Sequence, residues 1–480
     1  MTSKDPVNDE FIILDELRGI VGDSSVLTED DAAPFLVDWR ERFGGDAVAV
    51  VRPASTEEVA AVVQVCASHE MSIISQGGNT GISGGAVPLG GQRCVVLLLT
   101  RMTEIESVDA ERWTAMVQAG VTVQALQEAA AAADRLFAPD WGARGTATVG
   151  GGVATDAGGN NVLRYGNMRD QVLGVEVVLA DGRIWDGLRS LRKDSSGYDL
   201  KQLFIGSEGT LGIVTRIVVK LHPPTPESAS ALVSVSGLDE ALAFFGQMRS
   251  ALPDAITAFE LMPEFALAAV CEKLDMPRPI EPSGEFFVLV KLASSQPVED
   301  DLTSALGQAA EDGVILDAVI AATVAQEEKL WTIREEMPAA TLFPDLQHVS
   351  LKGDSAVPLD RVADYYRAVE TIADEVVPGA RTYGFGHVGD GNLHMYVLPS
   401  DVDAIDVFAE RKSELLRRVD EATIGLGGTL SAEHGVGQEI RTRIEAQKSG
   451  LEWELMRKVK DALDPNGLMN PGKVIPPASQ

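Results

Sequence analysis

The chain contains six histidines, and three of them fall in two short glycine-rich segments. His387 and His394 flank Val-Gly-Asp-Gly-Asn-Leu, whose Asp-Gly-Asn run favours a sharp reversal able to bring both imidazoles to one side. Glu433 adds a carboxylate. Two imidazoles and a carboxylate with open positions form a divalent-metal donor set, zinc or manganese by ligand type. Ordinary polar turn residues would have the same composition, so the segment alone leaves both readings standing. His434 follows Glu433 directly and is a candidate proton acceptor near neutral pH.

A second group of residues suits an anion. Gln76–Gly85 (QGGNTGISGG) follows a strand pattern, and backbone N–H groups exposed by glycine can ring a phosphate. Gly145–Gly159 (GTATVGGGVATDAGG) offers another such surface with hydroxyls at Thr146, Thr148 and Thr155. Gly206–Val214 (GSEGTLGIV) is the third. Each loop alone reads as a tight turn. The grouping of all three between Gln76 and Val214 favours one extended phosphate-bearing cofactor.

The elements that must hold these loops alternate. Ala47–Pro53 reads as a short buried strand. Ser55 and Glu58 have capping-box spacing, and Val59, Val62, Val63 and Cys66 then mark one helix face. Met71–Ser75, Cys94–Leu99, Thr114–Gln118, Val172–Leu179 and Leu211–Leu221 read as strands, and Val123–Phe137 as an alanine-rich helix. Pro223, Pro224 and Pro226 make a stiff break. Beyond it, strands at Ala231–Val235 and Phe286–Leu292 alternate with helices at Leu238–Leu252 and Val298–Asp312, which predicts an antiparallel sheet with helices on one face. A long helix over Asp403–Ile424 precedes Gly427-Gly428.

Three motifs mislead. Gly81-Ile82-Ser83-Gly84-Gly85 fits G-x-S-x-G but lacks the immediate strand and helix of a nucleophile elbow. Gly384–Gly389 fits G-x-G-x-x-G but leads into a turn and the strand-like Leu393–Leu398, so no nicotinamide fingerprint survives. Gly467–Lys473 resembles a P-loop but carries Pro471 and ends in Val474.

Composition narrows the classes further. At 480 residues the chain is long enough for two or three domains at roughly 150 residues each. Forty basic against seventy-two acidic residues give a net charge of -32, which argues against nucleic acid and anionic membrane faces as partners. Cys66, Cys94 and Cys271 are too scattered for a disulfide framework and read as small reduced core residues. No window of eighteen apolar residues occurs, so no membrane span is expected, and the N-terminal residues do not read as a signal peptide. A cytoplasmic location is the simplest expectation.

Several segments together carry a family likeness: Val51-Arg52-Pro53, GGNTG at 77–81, GTATVGG at 145–151, ATDAGG at 154–159, GSEGTLGIVT at 206–215, GHVGDGNLH at 386–394, SAEHGVG at 431–437 and NPGK at 470–473. From about Asp38 to the C-terminus the chain resembles the FAD-dependent D-2-hydroxyacid dehydrogenases of the vanillyl-alcohol oxidase / p-cresol methylhydroxylase family. This branch includes D-2-hydroxyglutarate and D-lactate dehydrogenases and the glycolate oxidase flavin subunit. The resemblance implies an α+β fold with a two-part FAD-binding domain (1–223 and 430–480) and a middle antiparallel-sheet cap domain (224–429).

It also implies FAD contacts at Pro53, Gln76, Gly77, Gly78, Asn79, Thr80, Gly81, Gly84 and Gly85 in the first part. Gly145, Thr148, Gly151, Ala154, Thr155 and Gly158 follow, then Gly209, Gly212, Ile213, Val214 and Asn470. Some relatives tether flavin through a His after Gly-Gly; Asn79 stands there, so FAD is expected to be non-covalent. His387, His394 and Glu433 match the family's metal ligands, and His434 its base. Arg334 and Lys352 match its substrate-carboxylate residues.

Four departures stand out. Pro338 and Tyr396 replace a Thr and an Asn of hydroxyglutarate-binding relatives, and Tyr396 is expected to face and shorten the substrate pocket. Gly152 replaces Asn, and Ile440 replaces Lys with Arg441 beside it. The implied reaction is oxidation of a D-2-hydroxy acid, D-2-hydroxyglutarate foremost, with D-lactate or glycolate as alternatives. Electrons are expected to leave to electron-transfer flavoprotein or a quinone, and a homodimer is expected. A metal-dependent hydrolase and a non-catalytic electron-relay flavoprotein are the readings from other classes.

Overall fold

A computed structural model describes residues 6–281 and 283–475. It divides into two units, the first comprising residues up to Gly159, Gly166–Pro223 and Glu433 onward, the second Asn160–Tyr165 and Pro224–Ala432.

The first unit holds two sheets. Strands β1 (Val26–Leu27), β2 (Ala49–Val51), β3 (Ser72–Gln76) and β4 (Cys94–Leu98) form a sheet in the order β1-β2-β4-β3, parallel except for the β1–β2 pair. Between β2 and β3 runs the helix Thr56–Ser68. Ser55 Oγ accepts from the Glu58 N–H at 3.2 Å as the predicted cap, and the Glu58 carboxylate reaches back to accept from Ala54 N–H, one residue before the cap, at 2.8 Å. Val59, Val62, Val63 and Cys66 are fully buried on one face, as their spacing requires. The second sheet is antiparallel: β5 (Ile105–Asp109), β6 (Thr114–Gln118), β7 (Val172–Val178), β8 (Ile184–Gly187) and β9 (Ile213–Lys220), ordered β5-β6-β9-β7-β8. One continuous apolar core serves both sheets.

The second unit also has two sheets. Strands β10 (Glu227–Val235), β11 (Ile256–Pro263), β12 (Phe286–Ser294) and β13 (Asp317–Ile320) are antiparallel in the order β11-β12-β10-β13. Helices Leu238–Ala251 and Glu299–Glu311 contribute Phe244, Phe245, Leu302 and Leu306 to the same buried cluster. Strands β14 (Leu351–Ala356), β15 (Arg381–Phe385) and β16 (Asn392–Leu398) make a second sheet with β16 central. Leu261 and Gly386 exchange backbone hydrogen bonds of 2.8 and 3.0 Å, which joins the two sheets.

The structure differs from expectation in three places. Residues 160–165 go with the second unit, because Leu163 packs on its core and Arg164 Nη1 bonds the Ala293 carbonyl. The chain returns to the first unit at Glu433 rather than at 430, because Thr429 and Ser431 bridge to Ala356 and Asp354 beside β14. The stretch expected as a second open glycine loop contains the helix Val149–Thr155, with Thr148 as its cap. Among the described residues no helix is long and apolar enough to cross a membrane, and Cys66, Cys94 and Cys271 are buried thiols.

Candidate active site

In the first unit, β3 ends at Gln76, whose side chain donates to Phe35 O at 2.9 Å and Ala86 O at 2.8 Å. That anchor launches the 77–85 loop over a solvent-open cleft. The cleft has a volume of about 320 Å³, within the roughly 300–1,000 Å³ of a small-ligand pocket. Gln76, Gly77, Gly78, Asn79, Thr80, Gly81 and Gly85 line it. Thr148, Gly151, Ala154, Thr155, Gly158, Gly209, Gly212, Ile213 and Val214 complete the expected residues that reach it. Gly78 is required by close approach: a Cβ there would run into the Thr146 carbonyl. Asn79 lies at φ 51° and its amide donates to Val37 O at 2.9 Å.

Four expected cofactor residues are not in the cleft wall. Pro53 and Gly145 lie outside it, and Gly84 backs onto the Phe43 ring. Asn470 braces the wall from behind, donating to Gly85 O at 2.9 Å and Glu208 O at 2.7 Å. Trp141 and Glu208 are among the lining residues that were not anticipated. Trp141 stands against Gly152, filling space beside the position where relatives carry Asn. Glu208 is buried, and its two carboxylate oxygens accept from Val436 N–H at 2.7 Å and Gly437 N–H at 2.9 Å. Burial pushes the Glu208 carboxyl up, against the pull of those two amides. Gly435, at φ 74°, comes so close to Glu208 Oε1 that a Cβ would sit 2.8 Å away. Ser83 Oγ donates to the His434 carbonyl at 3.0 Å. These contacts hold Glu433 and His434 in the cleft wall, and Glu433 Oε1 accepts from Gly159 N–H at 3.4 Å. Backbone donors, two glycines that admit close approach, and apolar walls at Leu99, Trp141, Phe204 and Ile213 fit a phosphate-linked aromatic cofactor.

The second unit gathers charged groups instead. Across β14 and β16, Lys352 faces Tyr396 and Asp354 faces His394; across β15 and β16, Tyr383 faces Tyr396 and Phe385 faces His394. Directly paired residues share a sheet face, so these side chains lie together. Gly386 is held against Leu261, which brings His387 beside Glu260 on β11. Glu260 is 1% exposed; its Oε1 meets His387 Nδ1 at 2.6 Å and its Oε2 accepts from Arg334 Nε at 2.7 Å. Burial acts to raise the Glu260 carboxyl, but His387 and Arg334 outweigh it and carry it down to about 2.

The Arg334 guanidinium lies 4.9 Å over the Phe385 ring. The two imidazoles stand edge to face with centroids 5.5 Å apart. His394 Nδ1 is 3.6 Å from Asp354 Oδ1. A buried pair of imidazoles, one backed by a carboxylate at Nδ1, fits the histidine part of a metal donor set. Tyr396 is 5% exposed and stacks on Tyr383 at 5.3 Å and on Phe385 at 6.0 Å, on the sheet face that also carries Lys352 and His394. Glu260 carries no motif; its only sequence signal is a carboxylate inside the apolar run of β11.

This fold and the glycine-lined cleft define a flavoprotein oxidoreductase. Residues 47–187 match the family model described as FAD binding domain, and residues 225–474 match that of FAD linked oxidases, C-terminal domain. The chain belongs to the FAD-linked oxidases, in their D-2-hydroxyacid dehydrogenase branch, and is an FAD-dependent enzyme. It is 35% identical over 464 residues to the mitochondrial D-2-hydroxyglutarate dehydrogenase of Bos taurus, covering 96% of this chain and 82% of that one. It is 32% identical to the D-2-hydroxyglutarate dehydrogenase of Stutzerimonas stutzeri, covering 96% and 98%. To the D-2-hydroxyglutarate–pyruvate transhydrogenase of Saccharomyces cerevisiae it is also 32% identical, covering 98% and 96%.

Among solved structures, p-cresol methylhydroxylase with substrate bound aligns at TM-score 0.72 and 16% identity, over 98% of this chain and 97% of that one. The 4-ethylphenol oxidase of Gulosibacter chungangensis aligns at TM-score 0.69 and 20% identity, over 98% of each. At such identities the likeness is one of fold, the vanillyl-alcohol oxidase type.

Proposed function

We propose that the enzyme oxidises D-2-hydroxyglutarate to 2-oxoglutarate. The likeness to relatives bearing that name, over nearly the whole chain, carries this reading. Oxidation removes the hydroxyl proton and the C2 hydride together. FAD, when bound, supplies the hydride acceptor, and with Asn79 after Gly77-Gly78 it is bound without a covalent tether. A divalent metal, when bound by His387, His394 and Glu433, supplies Lewis acidity toward the substrate oxygens.

His434 takes the hydroxyl proton at its imidazole, and the contacts that hold its backbone in the cleft wall keep it oriented. Arg334 and Lys352 bind carboxylate: Arg334 keeps its Nε on Glu260 and offers its remaining N–H groups to the substrate. A shorter D-2-hydroxy acid such as D-lactate is the second reading, favoured by Pro338, which lacks a hydroxyl, and by Tyr396, whose ring shares a sheet face with Lys352 and His394. Electrons then pass to electron-transfer flavoprotein or a quinone.

Anaerobic mixing with D-2-hydroxyglutarate, D-lactate and glycolate tests the assignment. D-2-hydroxyglutarate is expected to bleach the flavin fastest and at the lowest concentration. A chain bleached only by D-lactate or glycolate overturns the substrate, and one bleached by none overturns the reaction. Chelation is expected to stop bleaching with FAD retained, and added Zn²⁺ or Mn²⁺ to restore it.

A further inference from the structure

We infer that Glu260 is a positioning residue that sets a metal-ligating imidazole and a substrate-binding guanidinium from one carboxylate. The inference rests on the proposed function, which gives His387 and Arg334 those roles.

Glu260 sits in the middle of β11 between Phe259 and Leu261, both fully buried. A carboxylate in such a strand is costly unless each oxygen is satisfied. Here each oxygen has a different partner, 74 and 127 residues away in sequence. Neutralising Arg334 alone would need only one of them. The second oxygen, 2.6 Å from His387 Nδ1, requires that nitrogen to carry the proton and makes Nε2 the atom a metal would take. The backbone is fixed for the same purpose, since the Leu261–Gly386 hydrogen bonds hold the residue before His387 against the residue after Glu260. Phe385 extends the arrangement: its face lies under the Arg334 guanidinium at 4.9 Å, and it meets His394 edge-on at 5.5 Å. One carboxylate therefore controls the tilt of a metal ligand and the direction of the arginine fork. Metal affinity and substrate affinity are expected to weaken together when it is changed.

Glu260→Gln keeps the shape but places an amide N–H₂ against one of the two donors. The test uses the full-length FAD-loaded enzyme, stripped of metal, with Zn²⁺ alone titrated against a chromophoric chelator. The variant is expected to bind Zn²⁺ roughly 10- to 100-fold more weakly while keeping its FAD spectrum. Its KM for D-2-hydroxyglutarate is expected to rise by more than its kcat falls. Unchanged Zn²⁺ affinity and unchanged KM in the variant overturn the role of Glu260 alone. A parent enzyme that binds no Zn²⁺ overturns the metal reading and this inference with it. A measurement on the unmutated protein stands if the variant does not fold: ¹⁵N spectra of the metal-free, histidine-labelled enzyme are expected to show one imidazole locked with its proton on Nδ1. Absence of any such tautomer overturns the inference.

Discussion

The two regions are built by opposite means. The cleft of the first unit is walled largely by main chain, with Gly78 under Thr146 and the Thr148-capped helix beside it. Polar side chains along it, among them Gln76, Asn79, Ser83, Glu208 and Asn470, hold loops. The cluster of the second unit is built from side chains: Glu260, Arg334, Lys352, His387 and His394 arrive from four strand or loop segments and one helix. Backbone recognition needs glycine at fixed neighbouring positions. Side-chain recognition needs a carboxylate and its partners to meet across a sheet. The first should resist side-chain truncation and fail when a Cβ is added; the second should fail when one charge is removed.

The largest effect is expected at a side chain of the first region to which proton transfer is assigned. His434→Ala should slow flavin reduction in single turnover by about 10²–10⁴-fold with FAD retained and substrate affinity near normal. Reduction at the parent rate would remove His434 from the mechanism. Next comes the second region: Arg334→Met leaves the buried Glu260 with His387 alone and should cost about 3–5 kcal/mol in urea unfolding, alongside a raised KM. A loss under about 1 kcal/mol would mean that the cluster tolerates an unbalanced charge.

Alkali should weaken both regions. Burial pushes the Cys66 thiol up to about 12 and the Cys94 thiol to about 11, so the folded first unit keeps protons that an unfolded chain gives up near pH 9. That stability is complete below pH 9 and is lost as pH rises toward 11, at about 1.4 kcal/mol per pH unit for each thiol. Lys473, held down to about 8 by burial, works in the other direction and offsets one of them. In the second unit burial also raises the Cys271 thiol, so its loss starts near pH 9 too, and the raised phenols Tyr365, Tyr366 and Tyr383 add a loss that starts near pH 10. The near-ultraviolet aromatic dichroism of the second unit should therefore fall more steeply above about pH 10 than between about pH 9 and 10. A dichroism that shows no such steepening would contradict the assignment of these groups.

A smaller change tests the main-chain wall. Gly78→Ala should cost about 1–3 kcal/mol of cofactor binding by overpacking, or roughly 10- to 100-fold in FAD affinity. Gly90→Ala, outside the cleft and with open space where its Cβ would go, should change it by less than about 0.5 kcal/mol. Equal losses in the two variants would erase the distinction between the regions.

The sequence by itself determined the local and contiguous features. The helix after Ser55, the strand before Gln76, the glycine run at 77–85 and the break at Pro223 are visible because each is written in neighbouring residues by periodicity, capping or backbone freedom. Family likeness extended this to the cleft residues and to His434. The tertiary structure decided what depends on distant pairing. Glycines at 150–152 belong to a helix rather than an open loop, because Thr148 caps it and Ala119 leaves no space for a Cβ at Gly150. Tyr396 belongs to an aromatic stack because β15 sets Tyr383 opposite it. Asn470 braces the wall from behind because Ile73 draws the tail against β3. Glu260, without motif or local partner, gained its place only when β11 met the Gly386 turn and the helix Val324–Glu335, since a carboxylate's role is fixed by what its oxygens reach and not by what precedes it in the chain.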